Sequence, residues 1–172
     1  MRTITPSDFD RYVRQLRLGG NLKRRLSAAS LSAQDDNQAD REMLAVPAKD
    51  GSAGVLLIAL DEHIYGMPYE INDIRDAVTG RSKPIICDFC KTWQAGPRAG
   101  YIVFRTKRAS SNVIGFLCCA DLQCSLHVRD KTTAAKTSRS QLREEITVDQ
   151  RVARLQSKLA AVTERLDLQP LE

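Results

Sequence analysis

The stretches that decide the fold are "CDFC" at 87–90 and "CCADLQC" at 118–124. Together they hold all five cysteines of a 172-residue chain. Cysteines that serve as small apolar filler scatter along a sequence, so two tight groups point to shared chemistry. Cys87 and Cys90 form a C-x2-C pair, Cys119 and Cys124 form a C-x4-C pair, and 28 residues lie between the pairs. Cys118 is left over.

The segment between the pairs reads as a β-hairpin. "YIVFRTKR" (101–108) alternates and is rich in strand formers, "ASSN" is a turn, and "VIGFL" (113–117) is the return strand. After it, Leu122, Leu126 and Val128 predict a helix with Asp121 as N-cap, which places Cys124 in the first turn. There the helix dipole favours a thiolate. Knuckle, hairpin and ligand-bearing helix make a treble clef. Zinc takes four N or S ligands in a tetrahedron, with thiolates at about 2.3 Å. Four thiolates leave no open position, so the predicted ion is structural Zn2+, with Cys87, Cys90, Cys119 and Cys124 as metal ligands. Zinc binding on the order of 10 kcal/mol can go directly into folding such a unit.

Other readings of the cysteines fit less well. A redox C-x-x-C needs one pair in a βαβ context, which is absent. An iron–sulfur cluster could use four cysteines, but the intervening hairpin suits zinc better. The choice between Cys118 and Cys119 stays open at this point. Strand alternation sends one inward with Phe116 and the other to the metal, which favours Cys119. His127, three residues after Cys124, is an alternative ligand, or a helix-face histidine without a role. His63, in a predicted turn, reads as structural.

Away from the cysteines, "TPSD" at 5–8 predicts a helix start: Thr5 as N-cap, Pro6 at the first position and Asp8 in the first turn. Phe9, Tyr12, Val13 and Leu16 share a face, and Gly19–Gly20 ends the helix. Asn21 would cap a second short helix to about Ala29, and residues 30–41 read as a loop. "GVLLIALDEHIYGMPYEI" (54–71) predicts a hairpin turning near Asp61–His63, with a first strand buried on both faces. "RDKTTAAKTSRSQ" (129–141) reads as a polar, basic connector. Val148, Val152, Leu155, Leu159, Val162 and Leu166 make one helical stripe, with Thr147 and Gln150 as a capping box. The stripe is short for a coiled coil, so docking on the chain's own body, and a monomer, are favoured. The expected class is α+β: an N-terminal mixed helix and hairpin region over 1–80, then a treble-clef zinc-finger domain with the C-terminal amphipathic helix over 81–172.

Composition bounds the function. The hydrophobic share of 42% suits a folded chain, and the longest apolar run, "VLLIAL" at 55–60, is strand-sized. The N-terminus lacks the apolar core of a secretory signal, so the expected compartment is the cytoplasm. Residues 98–143 hold nine Lys/Arg against two Asp/Glu, a local +7 in a chain of net +5. Such a basic surface suits an acidic protein surface or RNA. No Gly-rich phosphate loop, H-E-x-x-H motif or Ser–His–Asp set is visible, so the chain does not read as an enzyme.

"CDFCKTW", the hairpin, "IGFLCCADLQCSLHVRDK" and "REEITVDQRVARLQSKLAAV" resemble the FBP-type C-terminal treble-clef zinc-finger family, over about 85–166. Among its members are the elongation factor G-binding proteins of the fusidic-acid resistance type. The resemblance puts the zinc ligands on Cys87, Cys90, Cys119 and Cys124, and implies a non-catalytic protein that binds elongation factor G and acts on translation at the ribosome. The expected partner surface is the hairpin and its basic flank: Arg105, Lys107, Arg108, Arg129 and Lys131, with Trp93 and Phe104 as aromatic anchors. The alternative for the two aromatics is the core of the small module. The alternative function is RNA binding through the same basic surface.

Overall fold

The computed structural model describes residues 1–16, 18–26, 38–76, 78–105, 113–142 and 144–172. Helix α1 (Pro6–Gln15) starts as its sequence predicts. The Asp8 amide donates to Thr5 Oγ1, and the Thr5 amide donates to Asp8 Oδ2, each at 3.1 Å. Its buried face carries Phe9, Tyr12 and Val13. The second helix, α2 (Gly20–Arg25), has Gly19 as N-cap and no side-chain cap, so Asn21 lies inside the helix and does not cap it. Its expected continuation to Ala29 lies outside the described residues.

Among the described residues, six strands form one antiparallel sheet, and two more form a small ladder. In chain order they are β1 (Met43–Pro47), β2 (Ala53–Leu60), β3 (His63–Asp73), β4 (Ile85–Ile86), β5 (Trp93–Gln94), β6 (Ala99–Arg105), β7 (Val113–Cys119) and β8 (Pro170–Leu171). The sheet order is β1-β2-β3-β6-β7, with β8 also on β3, while β4 and β5 pair with each other. The predicted hairpin is β2–β3, closed at Asp61–Glu62 with Asp61 in the left-handed region. β1 extends that hairpin on its outer side, Leu44 facing Leu57 and Val46 facing Val55. The link between β3 and β6 carries the sheet across residue 80: Glu70 pairs with Val103 and Asn72 with Tyr101. One sheet and one core thus use residues from both sides of the expected 80/81 division.

Strand alternation explains why β2 is buried on both faces. Val55 and Leu57 face one core, with Leu44, Val46, Ile64, Ile4 and the α1 residues Phe9, Tyr12 and Val13. Leu56 and Ile58 face the other, with Met67, Tyr69, Ile102, Phe104, Phe116 and the cysteines. Three short helices and one long one follow among the described residues: α3 (Cys124–His127), α4 (Thr133–Leu142), α5 (Val148–Arg165) and, before β6, a single 3-10 turn at Gly96–Arg98. The long helix α5 covers the second core with Leu155, Leu159 and Val162, and Leu166 follows at its C-cap. Thr147 and Gln150 form the predicted capping box. The sequence's polar connector contains α4, which buries only Ala135 and Ser138. Thr132 Oγ1 accepts from the Ala135 amide at 3.1 Å at its start. Small residues let this helix lie close to β5, where Ser138 Oγ accepts from the Trp93 amide at 2.7 Å.

Among the described residues, the C-terminal half of the sheet is covered on one face only. Ile102, Phe104, Phe116 and Cys118 point into the core under α5. Their neighbours Tyr101, Val113 and Leu117 are exposed on the other face. Tyr101 lies across Gly115, where a Cβ would meet its ring atoms, so only glycine allows that ring position.

Candidate metal centre

The four paired cysteines meet where the knuckle, the end of β7 and α3 come together. Cys87 and Cys90 sit in a turn whose Lys91 is held at φ 58, with the Lys91 amide donating to the Cys87 carbonyl at 3.0 Å. Asp88 ties that turn to β7: its amide donates to the Leu117 carbonyl, and its Oδ2 accepts from the Leu117 amide, both at 2.8 Å. Leu122 at φ 52 bends the second turn back, and its amide donates to the Cys119 carbonyl at 3.0 Å. Left-handed conformations in non-glycine residues carry a cost that the surrounding structure must hold in place.

The ligand atoms of Cys87, Cys90, Cys119 and Cys124 all lie within 4.8 Å of one another, and all four residues are buried. Cys87 Sγ is 3.7 Å from Cys124 Sγ, and Cys90 Sγ is 3.4 Å from Cys119 Sγ. A tetrahedron with arms of about 2.3 Å has edges of about 3.8 Å, so the sulfur spacing fits a four-thiolate zinc site. Burial raises the Cys90 thiol, but hydrogen bonds from Cys119, Cys124, Cys87 and His127 outweigh it and hold its pKa well below the usual value. The Cys124 thiol is pushed up, first through its contact with Cys119. Four thiols this close cannot all ionise unless a cation replaces their protons.

Cys118 is outside the cluster. It is buried on the opposite face of β7, where its sulfur lies beside Gly100, and burial pushes its thiol up, so it stays protonated. Asp121 does not cap a helix. α3 is a single turn with Gln123 as N-cap, and Asp121 Oδ1 instead accepts from the Gln123 amide at 3.1 Å. A single turn has little dipole, so α3 does not favour a Cys124 thiolate as a longer helix would.

Three buried polar side chains surround the sulfurs, and of these only His127 is marked in the sequence, by its spacing from Cys124. Thr92 Oγ1 is 2.9 Å from Cys90 Sγ. Gln94 Nε2 donates to Thr92 Oγ1 at 2.9 Å and to Cys119 Sγ at 3.3 Å. His127 Nδ1 lies 3.2 Å from Cys119 Sγ, and its Nε2 lies 3.3 Å from Asp121 Oδ2. Burial disfavours a charged imidazole there, yet Asp121 and Cys90 raise its pKa to about 9. Thr92 and Gln94 carried no spacing signal, because only the β4–β5 ladder brings them to the cysteines.

The segment after the cysteines is anchored to the sheet. Ser125 Oγ accepts from the Glu42 and Met43 amides at 3.0 and 3.1 Å. Arg129 forms a two-pronged pair with Glu42, at 2.6 and 2.8 Å. The buried Arg151 of α5 donates to the Val128 and Ile146 carbonyls and to Asp130 Oδ2.

The chain matches a family model, the FBP C-terminal treble-clef zinc-finger, over residues 14–166. The chain belongs to that family. The match begins far upstream of the cysteines, so the treble-clef family embraces α2 and the β1–β3 sheet as well as the metal centre, and is wider than the 85–166 resemblance. Neither curated proteins nor solved structures give a match. The family is one of zinc-finger domains, and four clustered, buried cysteines are the residues such a family needs for structural Zn2+. No helix among the described residues is long and apolar enough to cross a membrane.

The expected partner residues are not one exposed surface. Phe104 is 1% exposed and belongs to the core under α5, so it does not serve as a surface anchor. Ile102 and Phe104 on one face and Tyr101 and Val103 on the other are all apolar, so alternation alone did not tell the faces apart. Arg129 is mostly buried against Glu42. Arg105 pairs with Glu70 at 3.1 Å and Lys131 with Asp40 at 2.9 Å, both at the surface. Trp93 is half-buried against α4. Lys107 and Arg108 lie outside the described residues.

Proposed function

We propose that this chain is a non-catalytic protein that binds elongation factor G, with a structural zinc ion held by Cys87, Cys90, Cys119 and Cys124. The observation that carries the reading is the family match, which takes in nearly the whole chain. Zinc fixes the β6–β7 hairpin against the knuckle, and the hairpin offers an apolar sheet face that no other described residues cover. Tyr101, Val113 and Leu117 are exposed there, beside the Arg105–Glu70 pair. A groove of about 880 Å3 adjoins it, lined among others by Leu22, Pro68, Glu70, Val103 and Arg105. An exposed apolar patch rimmed by charge is the usual form of a protein-binding surface. The protein acts by binding one state of its partner better than another, and no bond is made or broken. RNA is the less favoured partner, because Arg105, Arg129 and Lys131 are each neutralised by a carboxylate.

The test is co-elution on a sizing column with elongation factor G from the same source, with and without a zinc chelator. A complex that forms only with zinc present supports the reading. Tyr101→Ala and Leu117→Asp should weaken that complex at least tenfold while zinc stays bound. A folded, zinc-loaded chain that never co-elutes would overturn it, and salt-dependent binding to free RNA would then point to the alternative.

A further inference from the structure

We propose that His127 is a positioning residue of the metal centre: its Nδ1–H donates to the Cys119 thiolate, and Asp121 holds the ring from the solvent side. The inference rests on the four-cysteine assignment proposed above and adds a second layer to it. His127 is 1% exposed, and a buried imidazole without partners is costly. Its polar contacts lead to the metal centre and to Asp121. Nδ1 reaches Cys119 Sγ at 3.2 Å and stands 3.9 Å from Cys90 Sγ. Nε2 reaches Asp121 Oδ2 at 3.3 Å, a contact that is electrostatic more than a well-aligned hydrogen bond.

The chemistry fixes the direction of the bond. A sulfur bound to zinc is a thiolate with no proton, so it can only accept. A nitrogen that bonds to it must therefore carry the hydrogen. Four thiolates around one divalent ion leave a net charge of −2 in a buried place. N–H donors spread that charge and make the sulfur a weaker nucleophile and a better-held ligand. Gln94 Nε2 reaches the same sulfur from another side, so Cys119 is the ligand on which side-chain donors converge. The α3 turn explains the placement: Cys124 and His127 are three residues apart on one face of that single turn, so one element delivers both a ligand and a donor.

The experiment uses the full-length, metal-loaded protein. X-ray absorption on the zinc form counts the sulfur ligands. The 113Cd form reports by NMR whether a slowly exchanging ring N–H of His127 couples to the metal through Cys119. Transfer of zinc to a chromophoric chelator is then timed for the parent chain, His127→Phe and His127→Gln. The expected result is four sulfurs, an observed coupling, and zinc transfer ten- to a hundredfold faster in His127→Phe. His127→Gln, which keeps an N–H donor, should recover part of the loss. Fewer than four sulfurs in the parent chain overturns the four-cysteine assignment and this inference with it. Four sulfurs with no protected ring N–H in the parent chain, or with parent-like transfer in His127→Phe, overturns this inference alone. Should His127→Phe not fold, the parent-chain NMR decides.

Discussion

The two faces of the sheet are held by different physics. Under α1, the core is apolar throughout: Phe9, Tyr12 and Val13 meet Leu44, Val46, Val55 and Leu57. Under α5, an apolar core with Phe104, Phe116, Leu155 and Leu159 continues into four thiols and a buried shell of Thr92, Gln94 and His127. The first face is stabilised by many weak contacts that can adjust individually. The second depends on one strong centre whose parts come from distant points in the chain. The difference teaches that the knuckle end, with its two-residue strands β4 and β5, is too small to be fixed by burial alone.

Removing zinc should break this comparison most completely. The loss is on the order of 10 kcal/mol for a structural four-thiolate site. Hydrogen exchange on chelator-treated protein should show protection lost from β4 through α3 first, with β1–β3 and α1 following. Protection that fell uniformly would mean that the two faces are one cooperative unit. Next in size, Phe9→Ala and Leu159→Ala should each cost about 2–5 kcal/mol in denaturant unfolding. They should differ in zinc transfer: Leu159→Ala should speed it, since it loosens the face that holds the cysteines, and Phe9→Ala should leave it unchanged.

Two smaller changes sharpen the contrast. Thr5→Ala and Thr147→Ala remove matching capping boxes from the helices on opposite faces, and each should cost about 1 kcal/mol. Equal losses would show that helix ends act alike whatever core they cover. At the bottom of the scale, Arg105→Ala removes an exposed ion pair with Glu70 and should change stability by less than about 1 kcal/mol. A larger loss would mean that the hairpin's uncovered face needs that pair to keep its shape.

Much of this was legible in the sequence where a local signal exists. The C-x2-C and C-x4-C spacings located the cluster, the Thr5 N-cap with Pro6 and the Thr147–Gln150 capping box fixed helix starts, and the apolar run of β2 announced burial on both faces. β1 and α4 were not read. α4 buries only Ala135 and Ser138, so it lacks an apolar stripe. Thr92 and Gln94 have no local signal, because the β4–β5 ladder must fold against β7 before those side chains meet a sulfur, whereas His127 is marked by its spacing from Cys124. The two readings of Phe104, surface anchor or core, stay open in the sequence for a simpler reason: both faces of β6 are apolar, so its parity is settled only by knowing which face α5 covers.

The adjacent pair Cys118 and Cys119 has one more consequence. A slip of β7 by one residue would bring Cys118 to the metal in place of Cys119 and turn Phe116 out of the core. Zinc would accept either sulfur, so the metal alone is a poor proofreader of the hairpin, and Phe116 casts the deciding vote. Refolding in excess zinc should therefore be cleaner for Cys118→Ser than for the parent chain, and equal yields would count against the idea. The spare thiol makes the sequence of events matter: a hairpin that closes on Phe116 first hands the metal only the correct spelling.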